Sequence, residues 1–340
     1  MSERPQLTAA VVGLGDISAV HLDAIQRNPA VRLVGVCDID PERARRVGTQ
    51  LGVPAYAEHR RLLDEVRPDV LHVTTPHHQH VPLALDAIDA GVNVLTEKPV
   101  AHTVADGERL AERARQADVS VGVVLQNRYN PTSVAIRETL RSGALGTIQG
   151  ARASLWWSRT PAYYASSPWR GRWAEAGGGV LINQAIHTLD LLLWLLGDPV
   201  NVRGTAATLA LADLIEVEDT ATLVIDHAGG ARSVLFATNT HHTNADVELE
   251  ISGSNGTLAL VEGRAMLTDG AGTRMLATDA RDDGERSYWG MSHAALIDDF
   301  YAQLAKGAPF WLTPEVGLPA LRTLRSAYLQ SGLLPAGTPL

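Results

Sequence analysis

The chain lacks the features that mark exported, membrane-spanning or nucleic-acid-binding proteins. Its 340 residues include one cysteine, Cys37, which excludes an internal disulfide and a cysteine-rich zinc site and is typical of a reducing compartment. No stretch approaches the roughly 20 consecutive apolar residues that a membrane-spanning helix needs. The apolar run at 7–14 lies between Pro5 and Asp16 and contains glycines, so we do not expect a signal peptide. Lys and Arg number 29 against 38 Asp and Glu, and the net charge of −9 argues against a surface for nucleic acid or anionic lipid.

The composition is that of a globular protein, with 45% apolar and 20% charged residues. At about 150 residues per domain, the length predicts two domains. We place the first at 1–125 and the second at 126–340, with the last helix able to pack against the first domain. The single cysteine predicts a cytoplasmic protein. The two-domain organisation predicts an active site in the cleft between the domains.

Short apolar strands alternate with amphipathic helices through the first 125 residues. We predict strands at 8–12, 32–37, 70–73, 93–95 and 120–125, and helices at 19–27, 41–50, 60–66, 82–90 and 104–116. Local signals agree, because Asp40 and Pro41 form an N-cap followed by proline, and Gly91 ends another helix. This alternation indicates an α/β domain with a doubly wound parallel sheet of the Rossmann type.

The pattern changes after Pro131, where most strands follow one another without helices between them. We predict a helix at 133–141, a strand at 147–157, a polar and aromatic loop up to Gly179, and one continuous helix at 180–196. Strands follow at 200–209, 219–225, 232–240, 247–252 and 257–260, and helices at 293–306 and 314–331 end the chain. Turns such as 254–256 join the strands, so we predict an α+β domain with a large, open and mainly antiparallel sheet.

A glycine-containing loop joins the first strand to the first helix. Gly13 permits the tight turn, and Gly15 would let backbone N–H groups approach a pyrophosphate at the helix N-terminus. Asp38 ends the second strand about 20 residues later, where a carboxylate would accept hydrogen bonds from an adenosine ribose. Two alternatives stay open. The loop could be a strand–helix turn that binds no ligand, and Asp38 could be a turn residue before the cap at Asp40. Because this negative charge would repel a 2′-phosphate, we expect NAD(H) rather than NADP(H).

Two further segments carry polar groups where a ligand would bind. Lys98 follows a strand of the parallel sheet, and the carboxyl ends of such strands face the ligand crevice. In the predicted helix at 180–196, Asn183, His187 and Asp190 share one stripe at 100° per residue. Polar side chains on so apolar a helix need partners or chemistry. The alternatives are that Lys98 is an ordinary surface lysine and that His187 is a hydrogen-bonded histidine of the core.

At these residues the chain resembles the Gfo/Idh/MocA family, named for glucose–fructose oxidoreductase, inositol dehydrogenase and a rhizopine-catabolism protein. The resemblance covers nearly the whole chain, and its specificity lies in the order and spacing of many short motifs. These are the glycine loop with His21, Cys37-Asp38, Thr75-Pro76 with His80, Glu97-Lys98-Pro99, Gln126 and Arg128 with Pro131, Trp169-Arg170-Gly171, the glycines at 177–179, His187 with Asp190, and His293 with Asp299-Phe300.

The resemblance implies hydride transfer between nicotinamide and a hydroxyl-bearing carbon of a sugar, cyclitol or related polyol. Oxidising an alcohol requires a base for the O–H proton and a positive group for the developing alkoxide. By resemblance Lys98 and His187 share this work. We assign the acid/base role to His187 and contact with the reacting oxygen to Lys98, and the reverse assignment stays open. Many relatives have Asp where this chain has Asn183. Because an amide cannot accept a proton, we expect Asn183 to orient substrate.

The loop at 158–173 has aromatic and guanidinium groups that suit the faces of a sugar. Together with the resemblance, this loop completes the assignment of site residues. The catalytic set is Lys98, His187 and Asn183. The cofactor-binding set is Gly13, Gly15, Asp16, Ile17, Ser18, Asp38, Thr75, Pro76, His80, Glu97, Lys98, Gln126, Trp169 and Arg170. The substrate-binding set is Lys98, Arg128, Tyr163, Trp169, Asn183 and His187. The histidines at 77–80 and 241–242 lack the spacing of metal ligands, so we predict no metal.

Two other functions stay open on the sequence. Some proteins of this kind use NAD transiently to cleave glycosides by oxidation and elimination, and others bind a dinucleotide only to regulate transcription. Lys98 and His187 argue against the regulator, and no basic stripe for DNA is evident. The second sheet has a face without a helical cover, so we further expect a homodimer or homotetramer through that sheet.

Overall fold

A computed structural model describes residues 6–280 and 292–334 and divides them into two compact units. The first unit contains the described residues up to Leu125 together with His293–Leu318. The second contains the described residues from Gln126 to Ser292 and from Pro319 onward. The outer limits that we predicted for the two domains, residues 1 and 340, lie outside the described residues.

The first unit is built on a six-stranded parallel sheet with the strand order β3-β2-β1-β4-β5-β6. The centre of β1 is fully buried, as expected for a sheet covered on both faces. The predicted doubly wound sheet is confirmed. Its elements are β1 (Leu7–Val12), α1 (Ser18–Arg27), β2 (Val31–Cys37), α2 (Pro41–Leu51), β3 (Ala55–Tyr56), α3 (His59–Val66), β4 (Val70–Val73), α4 (His77–Asp89), β5 (Asn93–Thr96), α5 (Val104–Gln116) and β6 (Val121–Val123).

Local signals predicted some ends of these elements correctly and others wrongly. Asp40 caps α2 as predicted, since its carboxylate accepts the N–H groups of Glu42 and Arg43. Helix α4 was expected to begin at Pro82, but it begins at His77, and Pro82 lies inside it. Strand β6 is shorter than the predicted 120–125, because the chain turns at its end, where the Leu125 N–H bonds to the carbonyl of Val123.

The second unit is built on an eight-stranded sheet with the order β14-β13-β12-β11-β7-β10-β9-β8. The pair β7–β10 is parallel and every other pair is antiparallel, so the predicted open, mainly antiparallel sheet is confirmed. Its elements are α6 (Pro131–Arg141), β7 (Ile148–Trp156), α7 (Pro161–Ala165), α8 (Trp173–Ala176), α9 (Val180–Asn183), α10 (Ile186–Leu196), β8 (Pro199–Ala207), β9 (Thr220–His227), β10 (Arg232–Thr238), β11 (Glu248–Gly253), β12 (Gly256–Val261), β13 (Arg264–Asp269) and β14 (Gly272–Thr278). Helices α11 (His293–Lys306) and α12 (Pro314–Gln330) follow, and α11 belongs to the first unit.

Three strands, β3, β13 and β14, and several short helical turns were missing from the prediction. Strands β13 and β14 form a hairpin at the sheet edge, where four consecutive residues of β14 are exposed and no apolar alternation marks the strand. The region at 158–179, predicted as a loop, contains α7, α8 and a 3₁₀ turn at Pro168–Gly171. These turns are too short to produce a helical period in the sequence.

The predicted continuous helix at 180–196 is wrong, because the chain breaks between α9 and α10. The Ala185 N–H bonds to the carbonyl of Val180, five residues back, which inserts an extra residue into the helical ladder. The segments Trp173–Asn183 and Ile186–Leu196 make an angle of 56°. Asn183 and His187 therefore do not lie on one straight helical stripe.

Among the described residues, no single helix is both long and apolar enough to cross a membrane. The bent pair Trp173–Asn183 and Ile186–Leu196 meets the criterion on length and composition only. Most side chains of α10 are buried within the second unit, as in the core helix of a globular protein.

Candidate active site

The glycine loop at the end of β1 has the shape that a dinucleotide requires. Gly13 has a φ of +87°, and a Cβ there would lie 2.6 Å from Cγ2 of Thr75, so only glycine fits. A Cβ on Gly15 would meet no atom within 4 Å, so its packing leaves the space beside the loop open. Ser18 begins α1 with its hydroxyl bonded to the Gly15 carbonyl, and no side chain caps the helix at Ile17. Uncapped N–H groups beside an open glycine fit a pyrophosphate.

Asp38 is 4% exposed and ties the end of β2 to the glycine loop. Its Oδ2 accepts the Leu14 N–H at 2.7 Å, and its Oδ1 accepts the Asp40 N–H at 2.9 Å. The guanidinium of Arg43 lies 3.4 Å from Oδ2. Ile39, which the sequence analysis did not single out, is 91% exposed directly after this carboxylate. An exposed apolar side chain therefore lies directly beside this buried carboxylate.

The other predicted cofactor residues of the first unit lie at the ends of β4 and β5. His80 is buried between two carbonyls, with Nδ1 2.8 Å from the oxygen of Pro99 and Nε2 2.9 Å from that of Thr75. Burial lowers the pKa of His80, whereas the two carbonyl contacts favour a ring with both nitrogens protonated and oppose that shift, since a neutral ring can donate to only one of them. Pro76 precedes α4, and the buried hydroxyl of Thr75 has no hydrogen-bond partner in the described structure.

Lys98 follows β5, and the side chain of the preceding residue holds its backbone. The half-buried Lys98 donates its N–H to Oε2 of Glu97 at 3.2 Å. Burial opposes ionisation of Glu97, but a hydrogen bond from His21 and neighbouring positive groups lower its pKa to about 2. The candidate catalytic lysine thus stands beside a buried and ionised carboxylate.

In the second unit, His187 lies in the first turn of α10 and next to Gln126. Nε2 of its ring is 3.4 Å from Nε2 of Gln126, which occupies a short 3₁₀ turn at Gln126–Tyr129. The same turn carries Arg128, whose guanidinium makes two hydrogen bonds, of 2.8 and 2.6 Å, to the Asp190 carboxylate one turn beyond His187. Sequence analysis did not anticipate this pairing with Asp190, and substrate binding by Arg128 stays a prediction. The pair holds the Gln126 turn against the helix of His187.

Asn183 and Tyr163 meet in a polar chain that sequence analysis did not anticipate. The hydroxyl of Tyr163 lies 3.1 Å from Nε2 of Gln184 and 3.5 Å from Nδ2 of Asn183. Gln184 in turn contacts the amide of the buried Asn239 at 3.0 Å. The guanidinium of Arg170 lies over the Tyr163 ring, 4.3 Å from its centroid. The residues after a helix break could not be placed from sequence alone.

Trp169 completes this aromatic group on the 3₁₀ turn at Pro168–Gly171. The Arg170 guanidinium is 5.8 Å from the centroid of its ring and also faces Tyr163. Two aromatic faces and a guanidinium are therefore brought together within the second unit.

Asp16, in the first unit, is exposed in the glycine loop. Within the described residues, no three His, Cys, Asp or Glu side chains are grouped as metal ligands would be.

The turn that begins α9 depends on Glu218, which sequence analysis also missed. Its fully buried carboxylate accepts the N–H groups of Gly179 and Leu181 and the hydroxyl of Tyr328, at 2.7–2.9 Å. It replaces the N-cap side chain that α9 lacks. A Cβ on Gly179 would collide with the carbonyl oxygen of Glu218. Burial raises the pKa of Glu218 to about 7, although these donors oppose the shift.

Comparison with known proteins decides the family. Residues 7–125 match the model of an oxidoreductase family with an NAD-binding Rossmann fold, and residues 133–259 match the GFO/IDH/MocA C-terminal domain. The chain belongs to the GFO/IDH/MocA family. The predicted family and its NAD-binding oxidoreductase character are therefore confirmed.

Relatives of this family member carry dehydrogenase names. A D-apiose dehydrogenase from Paraburkholderia graminis is 29% identical, over 74% of this chain and 66% of its own length. An inositol 2-dehydrogenase from Rhizobium meliloti is 26% identical over 92% of both chains. The structure of the WlbA dehydrogenase from Bordetella pertussis with NADH and UDP-GlcNAcA is 28% identical, with a TM-score of 0.84 over 98% of this chain and 99% of that one.

The raised pKa of Glu218 predicts a specific pH dependence of stability. Between about pH 4.5 and pH 7 the folded chain keeps a proton that the unfolded chain has released, so the free energy of unfolding falls as the pH rises. The upper limit of this loss is on the order of 3 kcal/mol. In Glu218→Gln, which has no proton to lose, the urea midpoint should change less between about pH 5 and pH 8.

The exposed Glu216, two residues earlier, provides the matched control. Glu216→Gln should keep the pH dependence of the unaltered chain. Equal slopes in Glu218→Gln and the unaltered chain would contradict the assignment.

Proposed function

We propose that the chain is an NAD(H)-dependent oxidoreductase acting on a secondary alcohol or ketone carbon of a sugar, cyclitol or related polyol. The observation that carries this proposal is the placement of Lys98 after β5, with its backbone held by an ionised and buried Glu97. The names of the relatives support the substrate class. When bound, the nicotinamide accepts or supplies the hydride.

The residues of the first unit would hold the cofactor by its pyrophosphate and its adenosine. The glycine loop and the uncapped start of α1 would take the pyrophosphate. Asp38 would take the adenosine ribose, with Ile39 against the adenine. Thr75 has a buried hydroxyl without a partner in the described structure, and such a group suits a polar contact with the cofactor.

Lys98 and His187 would divide the chemistry of the hydroxyl group. The ammonium of Lys98 would stabilise the developing alkoxide, and the ring of His187 would take the proton. The side-chain N–H of Gln126 can only donate, so its contact with Nε2 requires that nitrogen of His187 to be an unprotonated acceptor. We assign the proton to His187 rather than to Lys98 because an imidazole is ordinarily basic near neutral pH.

The second unit would orient the polyol. Asn183 and Tyr163 offer an amide and a hydroxyl within 3.5 Å of each other, which suits vicinal hydroxyl groups. Trp169 and Arg170 add an aromatic face and a planar cation, and these suit the mixed apolar and polar faces of a sugar.

Paired substitutions test whether Lys98 and His187 act on one hydroxyl. Lys98→Met and His187→Ala should each lower kcat by about 10²–10⁴-fold, because each removes a group that acts on the transferred proton or the alkoxide. The double variant should be little slower than the slower single variant. The assay is NADH absorbance with a panel of cyclitols and aldoses that includes inositol and D-apiose.

Lys306→Met, at an exposed lysine of α11, is the matched control and should keep full activity. A kcat within a few-fold of normal in either single variant would remove that residue from the mechanism. Fully multiplicative losses in the double variant would show that the two groups do not act together.

Cofactor choice is tested at Asp38. We propose that this carboxylate favours NAD(H) by repelling a 2′-phosphate. Asp38→Ser leaves Arg43 in place, so the ratio of kcat/KM for NAD to that for NADP should fall at least about tenfold. Asp40→Ser, which removes a nearby charge and keeps a capping hydroxyl, should leave the ratio unchanged. Equal ratios in all three proteins would refute the role of Asp38.

We also propose that the chain forms a homodimer or homotetramer through the uncovered face of the second sheet. Trp156 and Val234 on this face are about 40% exposed, and the Trp156 ring lies 4.4 Å from that of Phe236. An aromatic patch of this kind is typical of a subunit interface. Light scattering at micromolar concentration should give a multiple of 36.4 kDa, and the mass of a single chain would contradict the proposal.

A further inference from the structure

A chain of buried titratable groups in the first unit ends at the backbone of Lys98. The hydroxyl of Tyr301, in α11, lies 2.7 Å from Nε2 of His72 in β4. Nδ1 of His72 lies 2.8 Å from Nδ1 of His21 in α1. Nε2 of His21 lies 3.0 Å from Oε1 of Glu97, whose other oxygen accepts the Lys98 N–H. We call the four side chains of His21, His72, Glu97 and Tyr301 the histidine relay; each is at most 4% exposed.

Three further charged or titratable groups face this relay. His293, in α11, has its Nε2 3.7 Å from Oε1 of Glu97. The positive charge of Lys98 also acts on Glu97, and the negative charge of Asp69 acts on Tyr301. Burial and the adjacent His21 hold the pKa of His72 well below its usual value, so His72 stays neutral.

The chemistry of the acceptors fixes where the protons lie. The ionised Glu97 can only accept, so Nε2 of His21 carries a proton. The contact between the two Nδ1 atoms requires one proton, and either ring can supply it. If His21 is neutral, the Nδ1 proton belongs to His72, whose Nε2 then accepts the Tyr301 hydroxyl.

Protonation of His21 reverses the outer part of the relay. A doubly protonated His21 donates from Nδ1, so His72 must accept there and carry its own proton on Nε2. The His72 Nε2–H then donates to the oxygen of Tyr301. A change of charge at His21 is therefore inseparable from a change of tautomer at His72.

We propose that His21 is a positioning residue that acts on Lys98 through Glu97. The histidine relay holds one exchangeable proton, and its uptake changes the charge of the His21–Glu97 pair from −1 to zero. The backbone of Lys98 is thus anchored to a pair whose net charge is set by this proton. This inference rests on the proposed catalytic role of Lys98.

The tautomer of His72 can be observed without any activity. Spectra of the full chain with ¹⁵N-labelled histidine, between about pH 5 and pH 8, distinguish Nδ1–H from Nε2–H. We expect His72 to change from Nδ1–H to Nε2–H at the midpoint at which His21 becomes charged. Assignment uses His21→Asn and His72→Asn. A single His72 tautomer over the whole range, or separate midpoints, would overturn the coupled proton.

Glu97→Gln tests the counterion of His21 in the same spectra. The amide oxygen can still accept from Nε2 of His21, but the negative charge that favours the imidazolium is lost. The shared midpoint should therefore move to lower pH by at least about one unit. An unchanged midpoint would overturn the coupling between His21 and Glu97.

Tyr301→Phe tests the effect on catalysis without touching Lys98 or Glu97. Without the hydroxyl, the charged form would leave a buried Nε2–H of His72 unsatisfied, which disfavours protonation of His21. The part of the pH profile of kcat that follows the His72 tautomer midpoint, as distinct from the limb set by the base His187, should move to lower pH with the best substrate of the panel. A merely structural role would lower kcat equally at every pH, and that result would overturn the positioning role. If Lys98→Met kept activity, the proposed function would fail while the spectra still decided the coupled proton.

Discussion

Buried carboxylates hold the candidate catalytic residues in place. A carboxylate leaves water only when donors replace its hydration, so its neighbours are held to a narrow set of geometries. Glu97 lies beside Lys98, Asp190 lies one turn from His187, and Glu218 holds the turn that begins α9. None of these three acids is assigned to the chemistry. Their contribution is rigidity, since loss of any donor would leave a buried charge incompletely paired.

How much could be read from the sequence depended on how local each signal was. The glycine loop, Asp38 and Lys98 were found because each follows a strand, and parallel strands bring their carboxyl ends to one edge of the sheet. Glu218 gave no such signal. Its partners Gly179 and Tyr328 lie 39 and 110 residues away, and no periodicity connects positions so distant.

Residue type was easier to predict than the direction of a side chain. Arg128 was identified within its motif, but the sequence did not show that its guanidinium pairs with Asp190. The stripe through Asn183 and His187 failed for a related reason. A prediction from helical periodicity assumes an unbroken ladder of backbone hydrogen bonds. The N–H of Ala185 bonds to the carbonyl five residues back, and this single bond breaks the ladder.

The order in which the chain is made bears on when its cofactor half can mature. The first unit draws α11 from near the end of the chain, and with it Tyr301 and His293. During synthesis, the sheet of the first unit leaves the ribosome long before its last helix is translated. Until then His72 lacks its hydroxyl partner, and the surface that α11 covers stays open to solvent. A nascent chain that ends before residue 293 would therefore lack the helix that completes the first unit.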